Sequence, residues 1–304
     1  MIKKKAILVV LMLVCVLSLS ACGGYDFEET GTEIILAETA LDMMDDEEVV
    51  LVDAQKNSTY MKQHIQGAVN IERSDIVVSE PFPNMLAPKK DIEKILGKAG
   101  ISNDSTVIIY DNNNNMDAAR LWWTMKFYGH DSVKVISGGF NALIEKGADT
   151  AEGDETRSSA KYTINESNDQ MIATLDDVMA QINNPKDNVK LLDVRSTEEF
   201  EEGTIPTSIH IDYITNNYED GTYRNVQDIQ IKYVEQDIKP EDTIIMYCKT
   251  SIRAAQTYLA LYNAGYRDLK LYDGAWIEYS SDPSLPVQYP DGEAPVKPNI
   301  QDQS

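Results

Sequence analysis

The sequence predicts an α/β protein built from two tandem domains, each a parallel sheet flanked by helices on both faces. Short apolar runs with β character alternate with helical patterns, the order of βα units rather than of hairpins. One such run occurs twice. TVIIYD at Thr106–Asp111 aligns position for position with TIIMYC at Thr243–Cys248, and the helical stretch after each carries paired alanines, Ala118-Ala119 and Ala254-Ala255. Further landmarks recur in the same order, Asp53 with Asp193 and Gly138 with Gly274. A repeat over this much of the chain divides it into two homologous domains, and strands that are apolar throughout are those buried on both faces.

Residues 1–21 read as a leader rather than as part of the fold. Lys3, Lys4 and Lys5 form a basic start, residues 6–17 an apolar core short for a membrane span, and small residues precede Cys22. The tetrapeptide Leu19-Ser20-Ala21-Cys22 resembles the lipobox of bacterial lipoproteins, which implies that Cys22 carries lipid and becomes the N-terminus. The expected location is extracytoplasmic, anchored to the bacterial cell membrane through that lipid, with residues 22–35 as a tether. An uncleaved signal anchor is the alternative.

The first domain is expected over residues 36–149. Residues 38–48 read as a short acidic helix with Leu41 and Met44 on its apolar side, and residues 49–52 as a buried strand ending at Asp53. A helix over 87–100 turns Ile92, Ile95 and Leu96 inward and stops at Gly100. A strand at 106–110, a helix at 116–128 stopped by Gly129, a strand at 133–136 and a helix from Gly139 through Lys146 complete it. Residues 150–170, largely polar and without apolar period, read as an interdomain linker. The pattern then restarts over 171–288, with helices at 175–182, 226–236 and 253–263 and strands at 190–194, 243–247 and 269–272. Gly274 to Tyr279 closes the set. Residues 289–304, with Pro295 and Pro298 and almost no apolar side chains, are expected to be disordered.

Charge and cysteine usage narrow the function. The 50 acidic against 27 basic residues leave a net charge of −23, which argues against nucleic acid as a partner, since binding there rests on Lys and Arg neutralising phosphates. Of three cysteines, Cys15 leaves with the leader and Cys22 takes lipid, so Cys248 is the one free thiol of the mature chain. Cys248 lies where a strand runs into a tight turn and a helix start, between the cations Lys249 and Arg253. A helix start directs unpaired N–H groups and about half a positive charge at such a turn. That setting favours a thiolate nucleophile. The first half places Asp111 at the equivalent position, followed by Asn112–Asn115 in a loop one residue longer. A carboxylate is no sulfur nucleophile, so the second domain is read as catalytic and the first as non-catalytic.

At these residues the chain resembles the tandem-domain rhodanese family, the thiosulfate or 3-mercaptopyruvate sulfurtransferases. The resemblance runs from Leu36 to Val287. It is carried by LLDVR at Leu191–Arg195, the Cys-Lys-Thr-Ser-Ile-Arg loop from Cys248, and LYDGAWIEY at Leu271–Tyr279, with HIQGAVNI and VISGGFNALIEKG in the first half. It implies two rhodanese-like domains with sheets of about five strands. It also implies a Cys248 persulfide that moves sulfane sulfur from a small-molecule donor to cyanide or a thiol acceptor, with no cofactor and no metal. Donor-binding residues implied are Arg195 and the loop residues Lys249, Thr250, Ser251, Ile252 and Arg253. The competing expectation for Arg195 is an ion pair with one of Glu198, Glu199, Glu201 or Glu202. The family's loop has glycine where Ser251 stands, so this residue must either avoid positive φ or accept strain. The second half also carries Thr204 and Thr207 where the first has His64 and Gly67.

Two other readings stay open. A cysteine phosphatase or arsenate reductase needs Cys-x5-Arg to wrap a tetrahedral oxyanion, whereas Cys248 and Arg253 are spaced Cys-x4-Arg. A persulfide carrier, or a redox or binding module without turnover, needs only the reactive thiol. The histidines His64, His130 and His210 lack ligand spacing, and Trp122, Trp123 and Trp276 read as core aromatics.

Overall fold

The computed structural model describes residues 30–290 with Tyr25, Phe27, Glu28 and Gly292. The leader, Cys22 and the rest of the expected tail lie outside the described residues.

Each half contains one five-stranded, wholly parallel sheet. In the first half the strands are β1 (Ile34–Ile35), β2 (Val49–Asp53), β3 (Val69–Asn70), β4 (Thr106–Tyr110) and β5 (Val133–Ile136), laid side by side as β1-β5-β4-β2-β3. In the second they are β6 (Ile172–Ala173), β7 (Val189–Asp193), β8 (Ile209–His210), β9 (Thr243–Tyr247) and β10 (Leu269–Tyr272), in the matching order β6-β10-β9-β7-β8. The registers match too: Asp53 faces Tyr110 across β2 and β4, as Asp193 faces Tyr247 across β7 and β9.

Alternate residues of each strand enter different cores, as a period of two requires. Val50, Val52, Val107 and Ile109 face one cluster, while Val49, Leu51, Ile108 and Tyr110 face another with the helices Ala37–Met43 and Gly139–Glu145. The first of these clusters also takes Ile244 and Met246 of β9, so the inner faces of the two sheets share one core. Between them the helices Met116–Phe127 and Ile252–Asn263 pack together, with Trp122 edge-on to Tyr262 at 5.6 Å. Both helices follow directly on the loops that carry Asp111 and Cys248. The domain interface therefore fixes how the two loops face.

Two segments expected to be loose are docked. The expected tether ends in β1, which pairs with β5; Phe27 packs on Tyr266, and the Asn263 side chain accepts from the N–H groups of Glu33 and Ile34 at 3.0 and 3.1 Å. The segment thus touches both domains. Two-residue edge strands have no periodicity to read, which is why sequence pattern missed β1, β3, β6 and β8. The expected linker also lies on the body. Thr150–Ala151 pairs antiparallel with His64–Ile65, Ala160 N–H donates to the Gly97 carbonyl at 2.9 Å, and Tyr162 and Ile164 are buried. Ala160, Tyr162 and Ile164 alternate with exposed residues at a period of two, a signal of only three positions inside an otherwise polar stretch. The helices at 116, 139 and 226 end a residue or two early, those at 175 and 252 run one residue longer than expected, Lys89–Lys98 is trimmed at both ends, and the acidic first helix ends at Met43.

Candidate active site

Cys248 sits at the carboxyl end of β9, the end of a parallel sheet where ligands bind. It is buried, and the loop after it is short: residues 249–251, then the helix from Ile252. Ser251 is the residue before that helix, with φ +63 and ψ 3, so it accepts the left-handed conformation that the sequence left open. Its hydroxyl lies 2.7 Å from the Tyr272 carbonyl and 2.9 Å from that of Asp273. A serine thus does by hydrogen bonding what a glycine would do by lacking a side chain. Its counterpart Asn115 adopts nearly the same angles, φ 62 and ψ 12, on a side chain that tolerates them better. Two further positions hold positive φ where the first domain has glycine: Thr207 (φ 69) for Gly67, and Ala275 (φ 56) for Gly139. The backbone strain of the second domain therefore includes two positions beside the thiol, since Trp276 N–H, next to Ala275, donates to the Cys248 carbonyl at 3.0 Å.

The first-domain loop shows what this turn binds. The buried Asp111 carboxylate accepts from the N–H groups of Asn113 (2.8 Å), Asn115 (3.0 Å) and Ala118 (2.9 Å). Burial, and then the nearby Asp117 charge, push it up to about 6 against those three donors. In the second domain the N–H groups from Lys249 through Ala254 have no acceptor among the described residues. Ala254 is the counterpart of Ala118. The Cys248 turn is thus the same cradle of N–H groups, its nucleophile at the bottom instead of a resident carboxylate.

The predicted charges separate into two groups. Arg253 lies beside the thiol and is held bidentate by Glu199, at 2.5 and 2.9 Å. Burial works against its charge, but the bond to Glu199 and the charge on Cys248 outweigh it and raise its pKa. Arg253 in turn holds the Glu199 carboxyl down at about 2. Lys249 is exposed on the loop and Thr250 half-buried.

Arg195 pairs with none of the four glutamates expected for it. It is buried, and its Nε and Nη2 reach the Asp193 carboxylate at 2.5 to 3.0 Å, with Nη2 also on the Gly203 carbonyl at 2.7 Å. Its guanidinium lies 4.3 Å from the Trp276 ring centroid. Thr204 and Tyr247 complete the Asp193 shell at 2.9 and 3.1 Å. The first domain builds the same feature without a cation: Asp53 is held by Gln55 and Tyr110. Glu199, counted as a partner for Arg195, serves Arg253 instead. His64 and His130 are buried hydrogen-bonding residues, on the carbonyls of Tyr60 and Ser105.

First-domain residues that sequence reasoning missed complete the surroundings. Asn84, in the turn between the short strands Val77–Val78 and Met85–Leu86, donates from Nδ2 to Thr250 Oγ1 at 2.9 Å. Arg120, fully buried on the helix Met116–Phe127, pairs with Asp273 at 2.8 Å. A lone arginine inside the run Ala118–Trp123 was the available signal, but its partner is 153 positions away.

The rhodanese-like domain model matches residues 36–146 and 174–282. The chain is 31% identical over 275 residues to a Mycobacterium leprae protein named "Putative thiosulfate sulfurtransferase", covering 84% of this chain and 97% of that one. It is 27% identical over 261 residues to the "Sulfur carrier protein TtuD" of Thermus thermophilus, covering 80% and 88%. Among solved structures, SseA from Escherichia coli, described with the 3-mercaptopyruvate sulfotransferases, superposes with a TM-score of 0.72 at 22% identity, over 81% of this chain and 99% of that one. At that identity the likeness speaks for the fold.

Proposed function

Since the chain belongs to the rhodanese family, whose named relatives support sulfurtransferase as its class, we propose that it takes a sulfane sulfur from thiosulfate or a related donor such as 3-mercaptopyruvate. The Cys248 thiolate attacks the outer sulfur of thiosulfate, the bond to the sulfonate sulfur breaks, and sulfite leaves with the electron pair. The product is a Cys248 persulfide. Cyanide, or a thiolate, then attacks the outer sulfur, and the Cys248 thiolate departs with the electrons of the disulfide bond. The N–H groups from Lys249 through Ala254 stabilise the charge on the outer sulfur, and Arg253 and Lys249 favour an anionic donor.

The observation that carries this reading is the pair of loops. One copy holds a carboxylate on its N–H groups, and the other presents the same donors around a thiol. The test is thiocyanate formation from thiosulfate and cyanide, wild type beside Cys248→Ser. Cys248-dependent turnover is expected; equal rates in both proteins, or none with either donor, would sink the reading. A carrier without turnover has one observation in its favour, the name of the Thermus thermophilus relative, and predicts one sulfur accepted per Cys248 and no more. We further propose, on the leader alone, that Cys22 is lipidated and holds the protein to the membrane. A Cys22→Ala protein that still partitions with membranes would contradict that.

A further inference from the structure

We propose that Arg120 of the first domain is the positioning residue of the Cys248 loop, acting through Asn84 and Asp273. The proposal rests on the reading of Cys248 as the sulfur-carrying residue. The loop is held at two adjacent points: Thr250 Oγ1 accepts from Asn84, and the Ser251 hydroxyl bonds the Tyr272 and Asp273 carbonyls. Both supports converge on one nitrogen. Arg120 Nη2 donates to the Asn84 carbonyl at 3.0 Å and to Asp273 Oδ1 at 2.8 Å, while Leu86 N–H takes Asp273 Oδ2 at 2.7 Å. A single guanidinium from the domain without a cysteine thus clamps both flanks of the turn that carries one.

Stability alone is a poor reason for this arrangement. Arg120 is fully buried, and its Nε and Nη1 have no hydrogen-bond partner among the described residues, only the face of Trp123 at 4.8 Å from the guanidinium carbon. A buried ion pair of that kind is often matched by apolar residues of similar volume, so retaining it points to the geometry it imposes.

The duplication supplies the comparison. By alignment Gln256 stands for Arg120 and Ser137 for Asp273. Around the Asp111 loop the joint is neutral. Gln256 bonds Asn217 and Asn216, Asn217 reaches the Asn114 carbonyl, and the Ser137 hydroxyl oxygen accepts from Tyr223 N–H. The ionic form stands on the Cys248 side alone of these two joints.

The experiment copies the neutral joint onto the cysteine side with the double variant Arg120→Gln/Asp273→Ser, and compares it with the single variants Asn84→Ala and Thr250→Val and with their combination. The first readout is the rate of Cys248 alkylation by iodoacetamide and by iodoacetate across pH; the second is thiosulfate:cyanide turnover. The expected result for Arg120→Gln/Asp273→Ser and for Asn84→Ala is a change of about threefold or more in alkylation rate or a displaced pH profile, in Asn84→Ala with little change of melting temperature. Thr250→Val is expected to add nothing once Asn84 is alanine. Wild-type rate and pH profile in Asn84→Ala would overturn the proposal, and that variant decides the matter even if the double variant does not fold. Alkylation does not depend on sulfur transfer. A protein without turnover whose Asn84→Ala variant still alkylates differently would defeat the proposed function and leave the positioning role standing.

Discussion

Replacing Arg195 separates a binding role from a structural one. As a donor-binding residue, its loss should raise KM for thiosulfate and leave the fold alone. The bonds described above assign the guanidinium to Asp193 instead, through contacts of 2.5 to 3.0 Å at a site where Asp193 is wholly buried. Arg195→Met would leave that carboxylate with Thr204, Tyr247 and its own backbone turn. Removing one partner of a buried pair costs about 3–5 kcal/mol. The first domain shows how much a neutral side chain restores, because Gln55 already holds Asp53 from the equivalent position, with Nε2 and N–H each 2.7 Å from a carboxylate oxygen. Arg195→Gln should therefore recover part of the loss, leaving a cost of about 1–3 kcal/mol for the missing charge and the Gly203 bond. The assay is urea unfolding of wild type, Arg195→Gln and Arg195→Met at pH 7, with thiosulfate saturation curves taken where all three are folded. The expected midpoints fall in the order Arg, Gln, Met, with KM little changed. A Met variant that unfolds at the wild-type midpoint but needs about tenfold more thiosulfate would refute this reasoning and return Arg195 to the donor.

Ser251→Ala keeps the side chain that resists φ +63 and loses the buried hydroxyl, so it should cost about 1–3 kcal/mol. Ser251→Gly also loses the hydroxyl but relieves about 1–2 kcal/mol of left-handed strain, so by urea unfolding it should be the more stable of the two variants; the reverse order would mean that φ +63 carries little strain at this position. The Asp111 carboxyl should titrate near 6 by 13C NMR, whereas a midpoint below 3 would show that its three N–H donors outweigh burial. Because its pKa is raised on folding, this carboxyl favours the folded state as pH falls from about 6 towards the ordinary aspartate value, and Asp111→Asn should lack that component. Glu199 has the opposite sign. Its lowered pKa means that the Arg253 pair stabilises the fold fully above the ordinary glutamate value, and that this is lost as pH falls towards about 2. The stability gap between wild type and Glu199→Gln should therefore be level from pH 8 to 5 and close near pH 2; a gap that closes by pH 5 would show the pair to be screened by solvent.

The central strands and the loop chemistry were legible because both are local. A run such as TIIMY is bounded by its own residues, and a cysteine followed by a helix start announces its donors wherever the rest of the chain goes. The glutamate pair expected for Arg195 was misplaced for a related reason. Its partners were sought among glutamates three to seven residues ahead, whereas its carboxylate lies two residues behind, at the end of β7, where the chain turns back on itself. Arg120, Asn84 and Asp273 escaped because their meeting is made by the domain interface, and no local pattern encodes a pairing across it.

The repeat holds more of that information than was drawn from it. Setting the halves side by side identified Asp111 against Cys248, but the same alignment contains Gln256 against Arg120, Ser137 against Asp273, Gln55 against Arg195 and His64 against Thr204. Each difference is small alone. In the structure, Arg120 and Asp273 bear on the turn that carries the thiol, while Arg195 and Thr204 hold the end of the neighbouring strand. The two domains keep one topology and one register, so neither is what these exchanges serve. What differs with them is the turn: in one copy a carboxylate fills its own cradle between amide supports, and in the other the supports are ionic and the cradle surrounds a thiol. A sulfur atom that gains and loses charge needs donors that do not shift with it, and a turn braced by a buried ion pair from a second domain meets that need better than one braced by amides.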